Sequence, residues 1–239
     1  LDAMDKANIY PAAIKPNSAY YEAISVSAMQ VLSDLIAEYS QRGIHVVLDA
    51  KRGDIGKSSA AYAQAAFDVF GADSVTVSPY MGEDSVKPFS EYAAGKGVYM
   101  LLRTSNKGAQ DLQDLQMAEG DQLFYAVASK LLNWNTQDSI GAVVGATNTT
   151  EMENITRYFV ERNKEVPFLI PGISVSGVPG QQGGDIASTL TALKNGGATR
   201  NFHLLNSSSG LNYAYQAHPD VSYDQAFIVA LTQLVNECA

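Results

Sequence analysis

Short runs of β-branched and apolar residues alternate along this chain with segments whose apolar positions recur every three or four residues. Seven such runs stand out, at 9–15, 44–49, 74–78, 97–102, 141–145, 167–171 and 202–206. The middle ones, such as Ser74-Val75-Thr76-Val77-Ser78, are nearly continuous in apolar character, as expected of parallel strands buried on both faces. Between the first two runs, Ile24, Ala28, Val31, Leu32, Leu35 and Tyr39 fall at helical spacing, and Gly43 sits where a C-terminal cap belongs. A second helix is expected over about 58–70, with Tyr62, Ala66, Val69 and Phe70 on one face and Gly71 as its stop. Further helices are read near 123–132, 152–160, 186–193 and 226–235. No linker rich in Pro, Gly or Ser divides the chain, so residues 1–239 are expected to form one domain.

Strand, helix, strand in steady alternation predicts an α/β fold with a parallel sheet. Successive runs begin roughly 32 residues apart, and eight such units need about 257 residues, the usual size of a (β/α)8 barrel. This chain has 239. Its opening, Leu1-Asp2-Ala3-Met4-Asp5, reads as the tail of a helix. Either the first βα unit is missing, or the sheet is an open one of seven strands. The regular spacing favours the (β/α)8 TIM barrel with its first strand absent.

Charge narrows the partners. Sixteen Lys and Arg against twenty-five Asp and Glu give a net charge of −9, which argues against nucleic acid or an anionic membrane as the main partner. Any anionic ligand must then meet a local basic cluster. The single cysteine, Cys238, excludes an intrachain disulfide and a cysteine-based metal site. No run approaches the roughly 20 apolar residues of a membrane span, and the first residues lack the order of a signal peptide. A cytoplasmic location is the expectation.

In barrels and open α/β sheets alike, chemistry gathers at the carboxyl ends of the strands. There the densest charge cluster is Asp49-Ala50-Lys51-Arg52-Gly53-Asp54. On a regular strand, Asp49 and Lys51 point to the same side with α-carbons roughly 6.5 Å apart. A neighbouring carboxylate favours the charged lysine, a proton donor rather than a nucleophilic amine. Lys15 arrives from the adjacent strand end and Asp54 follows near a helix start, so two lysines and two aspartates can alternate in a small volume. An ordinary ion pair is the competing explanation for an isolated Asp-x-Lys. Two later segments, Gln181-Gln182-Gly183-Gly184-Asp185 and 206–210, have the glycine-rich or hydroxyl-rich composition that lets backbone N–H groups approach a phosphate. A plain turn with an aspartate cap is the alternative for the first. His45, His203 and His218 lack metal-ligand spacing and read as packing or surface residues.

The segment Asp49-Ala50-Lys51-Arg52-Gly53-Asp54-Ile55 resembles the Asp-x-Lys-x-x-Asp-Ile signature of the orotidine 5′-phosphate decarboxylase family. Supporting segments are similar to the branch found in some bacteria and protozoa. They are Lys15-Pro16-Asn17-Ser18-Ala19-Tyr20, Ser78-Pro79-Tyr80-Met81-Gly82, Arg103-Thr104-Ser105-Asn106, Gln182-Gly183-Gly184-Asp185 and Asn206-Ser207-Ser208. The resemblance implies a (β/α)8 homodimer with shared active sites that converts orotidine 5′-monophosphate to UMP and CO2 in pyrimidine biosynthesis, with neither metal nor organic cofactor. It further implies that Lys51 protonates C6 of the pyrimidine, that Asp49 sits beside the scissile carboxylate, and that Lys15 completes the charged network. Asp54, with Ile55 and Ser58, would act across the dimer interface. Ser105 would meet the pyrimidine edge, Pro171 would lie by the ring, and Gln182 would help hold the phosphate. Asn17, Gly183, Ser208 and Ser209 complete the implied substrate-binding set.

Two features of the family pattern differ. Its first strand, with an aspartate for the ribose, is not in this chain, and Ser209 stands where the family carries a phosphate-gripping arginine. The segment 174–180 is longer than usual, and its backbone N–H groups or Lys107 are the candidates to compensate. Two alternatives follow: a Mg²⁺-dependent sugar-phosphate lyase of the same suprafamily with Asp49 and Asp54 as ligands, and a non-catalytic nucleotide-binding paralogue.

Overall fold

The computed structural model describes residues 2–118, 120–175 and 183–238. In chain order the strands are β1 (Ala13–Ile14), β2 (His45–Arg52), β3 (Ser74–Val77), β4 (Gly97–Arg103), β5 (Ile140–Val144), β6 (Phe168–Pro171) and β7 (Leu204–Asn206). The α-helices are α1 (Asp2–Ala7), α2 (Ser18–Glu22), α3 (Ala28–Gln41), α4 (Gly56–Gln64), α5 (Lys87–Ser90), α6 (Leu123–Trp134), α7 (Thr149–Val160), α8 (Ile186–Asn195), α9 (Ser209–Asn212) and α10 (Tyr223–Cys238). The chain divides into two compact units, one of residues 11–103 with 110–143, the other of residues 1–10, 104–109 and 144–239.

The first unit holds a parallel ladder. Ala13 pairs with His45, Val47 with Ser74, and Ser74 with Gly97. Val46, Val47 and Leu48 of β2 and all four residues of β3 are buried, which is why these strands read as unbroken apolar runs. On β4, Val98, Met100 and Leu102 are buried while the alternate residues are partly exposed. Helix α3 buries Ala28, Leu32 and Ile36, four residues apart on one stripe. It ends as the sequence predicts. Gly43, at φ +74°, donates its N–H to Ser40, and Ile44 N–H reaches back to Tyr39, the two bonds of a Schellman cap. The helix begins later than its apolar pattern suggests: Ile24 precedes it and is 76% exposed, and Val31 faces out. Helix α4 runs into a π-helical turn, Ala65–Val69, and Gly71 at φ +72° closes it.

The second unit pairs Leu169 with Leu204, Ile170 with Leu205 and Pro171 with Asn206. Helix α7 is capped by Asn148, whose side chain accepts from Glu151 N–H, and it buries Met152, Ile155 and Phe159. It packs closely on α8, where a Cβ at Gly196 would lie 2.5 Å from that of Thr156. A small core of Val175, Ala214, Ala226 and Ala230 is covered by Leu211 and Leu234.

Two expected strands are shorter in the structure. The run 9–15 contributes only Ala13 and Ile14, because Asn8 at φ 53° turns the chain out of α1 and Pro11 has no N–H to give a ladder. The run 202–206 contributes Leu204–Asn206; His203 is used instead as an acceptor for Phe168 N–H, at 3.1 Å.

Candidate active site

The candidate site grows out of an irregularity in β2. Leu48 pairs with Val75 and Arg52 with Val77, so Asp49, Ala50 and Lys51 stand opposite Thr76 alone. This is a bulge, and it places Lys51 at φ +44°, a conformation that costs a non-glycine residue roughly 1 kcal/mol. Asp49 and Lys51 therefore do meet, but through a turned backbone rather than through the simple alternation of a regular strand. Backbone bonds anchor the other side: Asp49 N–H donates to Pro16 C=O at 2.9 Å, and Asn17 bridges to Asp49.

Asp49 is 5% exposed and both its oxygens are occupied. Lys15 Nζ donates to Oδ2 at 2.7 Å, while Lys51 Nζ, at 2.5 Å, and Thr76 Oγ1, at 2.9 Å, donate to Oδ1. Burial by itself would raise the Asp49 pKa, but the charges and hydrogen bonds of Lys15 and Lys51 outweigh it and hold the carboxyl below its ordinary value. The lysines differ in access. The Lys15 side chain is 10% exposed and Lys51 48%, so Lys51 is the ammonium that an incoming molecule can reach. One carboxylate between two ammonium groups leaves a net positive charge at the strand ends, in a chain whose total charge is −9. On the same ladder, Tyr99 pairs with Thr76 and is buried enough for its pKa to be pushed up to about 12, so it adds no charge.

Three of the four expected charges thus come together within one chain. The fourth, Asp54, accepts Ile55 N–H at 2.8 Å and has no ion pair among the described residues. Ile55, half exposed, is the N-cap residue of α4, and Ser58 is exposed on its first turn. The Asn17 side chain is engaged locally as the cap of α2, accepting from Ala19 N–H at 3.0 Å.

The remaining expected residues belong to the second unit. Ser105 C=O accepts from the Thr147 hydroxyl at 3.1 Å, and Gly145 lies so close behind it that a Cβ there would be 2.6 Å from that of Ser105. Pro171 ends β6 and its carbonyl takes Ala146 N–H. A Cβ at Gly183 would fall 2.1 Å from Gly172 C=O, so this position admits only glycine. Asp185 is the N-cap of α8 and accepts Ser188 N–H at 2.8 Å, a bond that lowers its pKa. Asp185 thus serves as the cap of this helix. Ser208 is the N-cap residue of α9 and, like Ser209, is exposed. Gln182 and most of the segment 174–180 lie outside the described residues.

Thr76 is the site residue that the sequence reading passed over. Its signal was present: a hydroxyl within a strand whose four side chains are all buried needs a polar partner.

Residues 1–199 match the model of the family described as "Orotidine 5'-phosphate decarboxylase / HUMPS family". The chain belongs to this family. It is 45% identical over 181 residues to an orotidine 5′-phosphate decarboxylase of Herpetosiphon aurantiacus, covering 75% of this chain and 63% of that protein. A protein of the same name from Haloarcula marismortui is 39% identical over 213 residues, covering 88% of this chain and 71% of its own length. Among solved structures, the OMP decarboxylase of Leishmania donovani superposes with a TM-score of 0.77 at 33% identity, over 99% of this chain and 83% of that one. The fold is accordingly that of the decarboxylase (β/α)8 barrels, represented among the described residues by seven strands. The chain spans somewhat less than two thirds of the Herpetosiphon relative and somewhat more than two thirds of the Haloarcula one.

Proposed function

We propose that the protein is a carboxy-lyase that converts orotidine 5′-monophosphate to UMP and CO2, a step of pyrimidine biosynthesis. The observation that carries this reading is the buried Asp49 carboxylate between the ammonium groups of Lys15 and Lys51. When the bond from C6 to the carboxylate carbon breaks, its electron pair stays on C6 in an sp² orbital that no adjacent π-system can relieve. A fixed cation at that carbon stabilises the developing charge, and it carries the proton that completes the product. Lys51, the exposed member, supplies both. It gives its proton to C6 and recovers one from solvent after UMP leaves. Asp49 holds Lys51 in place and faces the scissile carboxylate, and Lys15 balances Asp49.

Binding energy from the ribose and phosphate supplies orientation. In this proposal Ser105 and Pro171 line the pyrimidine, Asn17 belongs to the substrate side of β1, and Gln182, Gly183, Ser208 and Ser209 gather at the phosphate. With serine at position 209, backbone N–H groups replace a guanidinium. Two lysines around Asp49 disfavour the magnesium-dependent alternative, since they repel a further cation from that carboxylate. Incubating the full-length protein with orotidine 5′-monophosphate is the test: UMP forms at an unchanged rate with EDTA present, and failure to form UMP overturns the reading.

We infer further that the enzyme is a cytoplasmic homodimer in which Asp54, Ile55 and Ser58 enter the partner's site, and that this chain forms one decarboxylase domain. Asp54, without an ion pair among the described residues, supports this, as do the exposed apolar residues Tyr20, Ile24, Val26, Ile55, Tyr80 and Met81 in the same unit. No described helix is long and apolar enough to cross a membrane. Mixing Lys51→Ala with Asp54→Ala subunits should restore about a quarter of wild-type activity, the statistical yield of random pairing with one intact site per heterodimer. No recovery would exclude the shared site.

A further inference from the structure

We propose that Thr76 is a positioning residue that latches Lys51 onto Asp49. Thr76 is 1% exposed, and its hydroxyl is fully committed. It accepts Lys51 N–H at 2.9 Å and donates its one hydrogen to Asp49 Oδ1 at 2.9 Å. Lys51 Nζ donates to that same oxygen. The four groups close a ring: Lys51 backbone, Thr76 hydroxyl, Asp49 carboxylate, Lys51 ammonium.

The ring explains how the left-handed backbone of Lys51 is maintained. In a regular parallel ladder, the amide of a strand residue donates to a carbonyl of the neighbouring strand. At this bulge three residues of β2 face one of β3, and the Lys51 amide finds a side-chain hydroxyl in place of a backbone carbonyl. Without that acceptor the amide would be left without its partner beside a buried carboxylate, and the chain would gain by leaving φ +44°. Relaxation to an ordinary conformation swings the lysine stem away from Asp49. A threonine hydroxyl on β3 thus sets where the ammonium of β2 stands. Valine has the shape of threonine but can supply neither bond; serine can supply both.

The inference rests on the decarboxylase reading only for its kinetic arm. Thr76→Val should lower kcat roughly ten- to a hundredfold, the effect of losing a hydrogen bond to a charged group, with KM changed less than about threefold. Thr76→Ser should recover most of the loss. The crystal structure of Thr76→Val should show Lys51 outside the left-handed region and its ammonium detached from Asp49. This second arm needs no turnover, so it stands even if the protein makes no UMP. A Thr76→Val enzyme with kcat within twofold of wild type, a loss that serine does not restore, or a Lys51 that keeps its conformation and its bond to Asp49 would overturn the proposal.

Discussion

The two ends of the ladder in the first unit carry the same kinds of side chain and use them differently. At the carboxyl ends stand Asp49, Lys15, Lys51 and Thr76; at the amino ends stand Asp73, His45, Lys96 and Ser74. In the amino-end group Asp73 and Lys96 bond to the backbone and approach one another only loosely. Asp73 accepts Val46 N–H at 2.9 Å, and Lys96 donates to Ala72 C=O at 2.7 Å. The contacts of Asp73 to basic side chains are long, 3.9 Å from His45 and 3.7 Å from Lys96, and Asp73 is a third exposed. His45 does bond to Ser74 at 2.8 Å, but the serine is buried and the histidine is beyond hydrogen-bond distance of the aspartate, so this array is no nucleophile. In the carboxyl-end group the charges bond one another directly, and one ammonium is left facing out. Composition does not separate a stabilising cluster from a reactive one. What separates them is whether the charges are satisfied by backbone or by each other, and whether one of them is accessible.

The sharpest way to break the contrast is to remove the ammonium at each end. Lys51→Ala should reduce turnover by about a thousandfold or more, with UMP affinity within tenfold of wild type. Lys96→Ala should leave turnover within about twofold. Initial rates and calorimetric titration with UMP read both, and a Lys96 effect as large as that of Lys51 would dissolve the distinction.

Removing the carboxylates tests the energetic side. Asp49→Ala leaves Lys15 buried beside no counter-charge and should cost roughly 3 kcal/mol. Asp73→Ala at its more exposed position should cost about 1 kcal/mol. Urea unfolding with an unchanged slope provides the measurement, and equal losses would mean that burial is not what distinguishes the two ends.

A smaller effect lies in the pH dependence. The folded-state pKa of Asp49 lies below its ordinary value of 3.8, so its stabilising contribution is full above that pH and is lost as the pH falls through it toward the lower folded value. His203 follows the same sign at a higher pH. Burial depresses its pKa below the ordinary 6.5 against the opposing pull of Glu165, and Nδ1, where a proton would have to sit, already accepts the Phe168 N–H. Stability should therefore begin to fall as the pH drops below about 6.5, and His203→Phe should abolish that first phase while leaving the later one. Thermal unfolding across pH 3–8 separates the phases; a single acid phase in the wild type would contradict the assignment.

Much of this was legible in the residues. Buried parallel strands announce themselves as apolar runs, and β2 to β6 lie close to where those runs fall. Gly43 and Gly71 mark helix ends because the positive φ they adopt is strained for other residues. Where local signals were weak, boundaries moved. The run 9–15 looks like a strand by composition, yet Asn8 and Pro11 prevent it from pairing along most of its length. Ile24 and Val31 fit a helical stripe by spacing but face outward, since spacing reports a period and not which surface will be covered.

By itself the sequence determined the order of strands and helices and the presence of Lys15, Asp49 and Lys51 at strand ends, because hydrophobic period and local chain geometry are properties of neighbouring residues. Only the tertiary structure decided how those charges meet. The bulge in β2, the positive φ of Lys51 and the hydroxyl that holds them come from a register between β2 and β3, strands whose paired residues lie about 25 positions apart in the chain. A hydrogen bond across that distance has no local pattern to announce it, and here it sets the position of the lysine proposed to donate the proton.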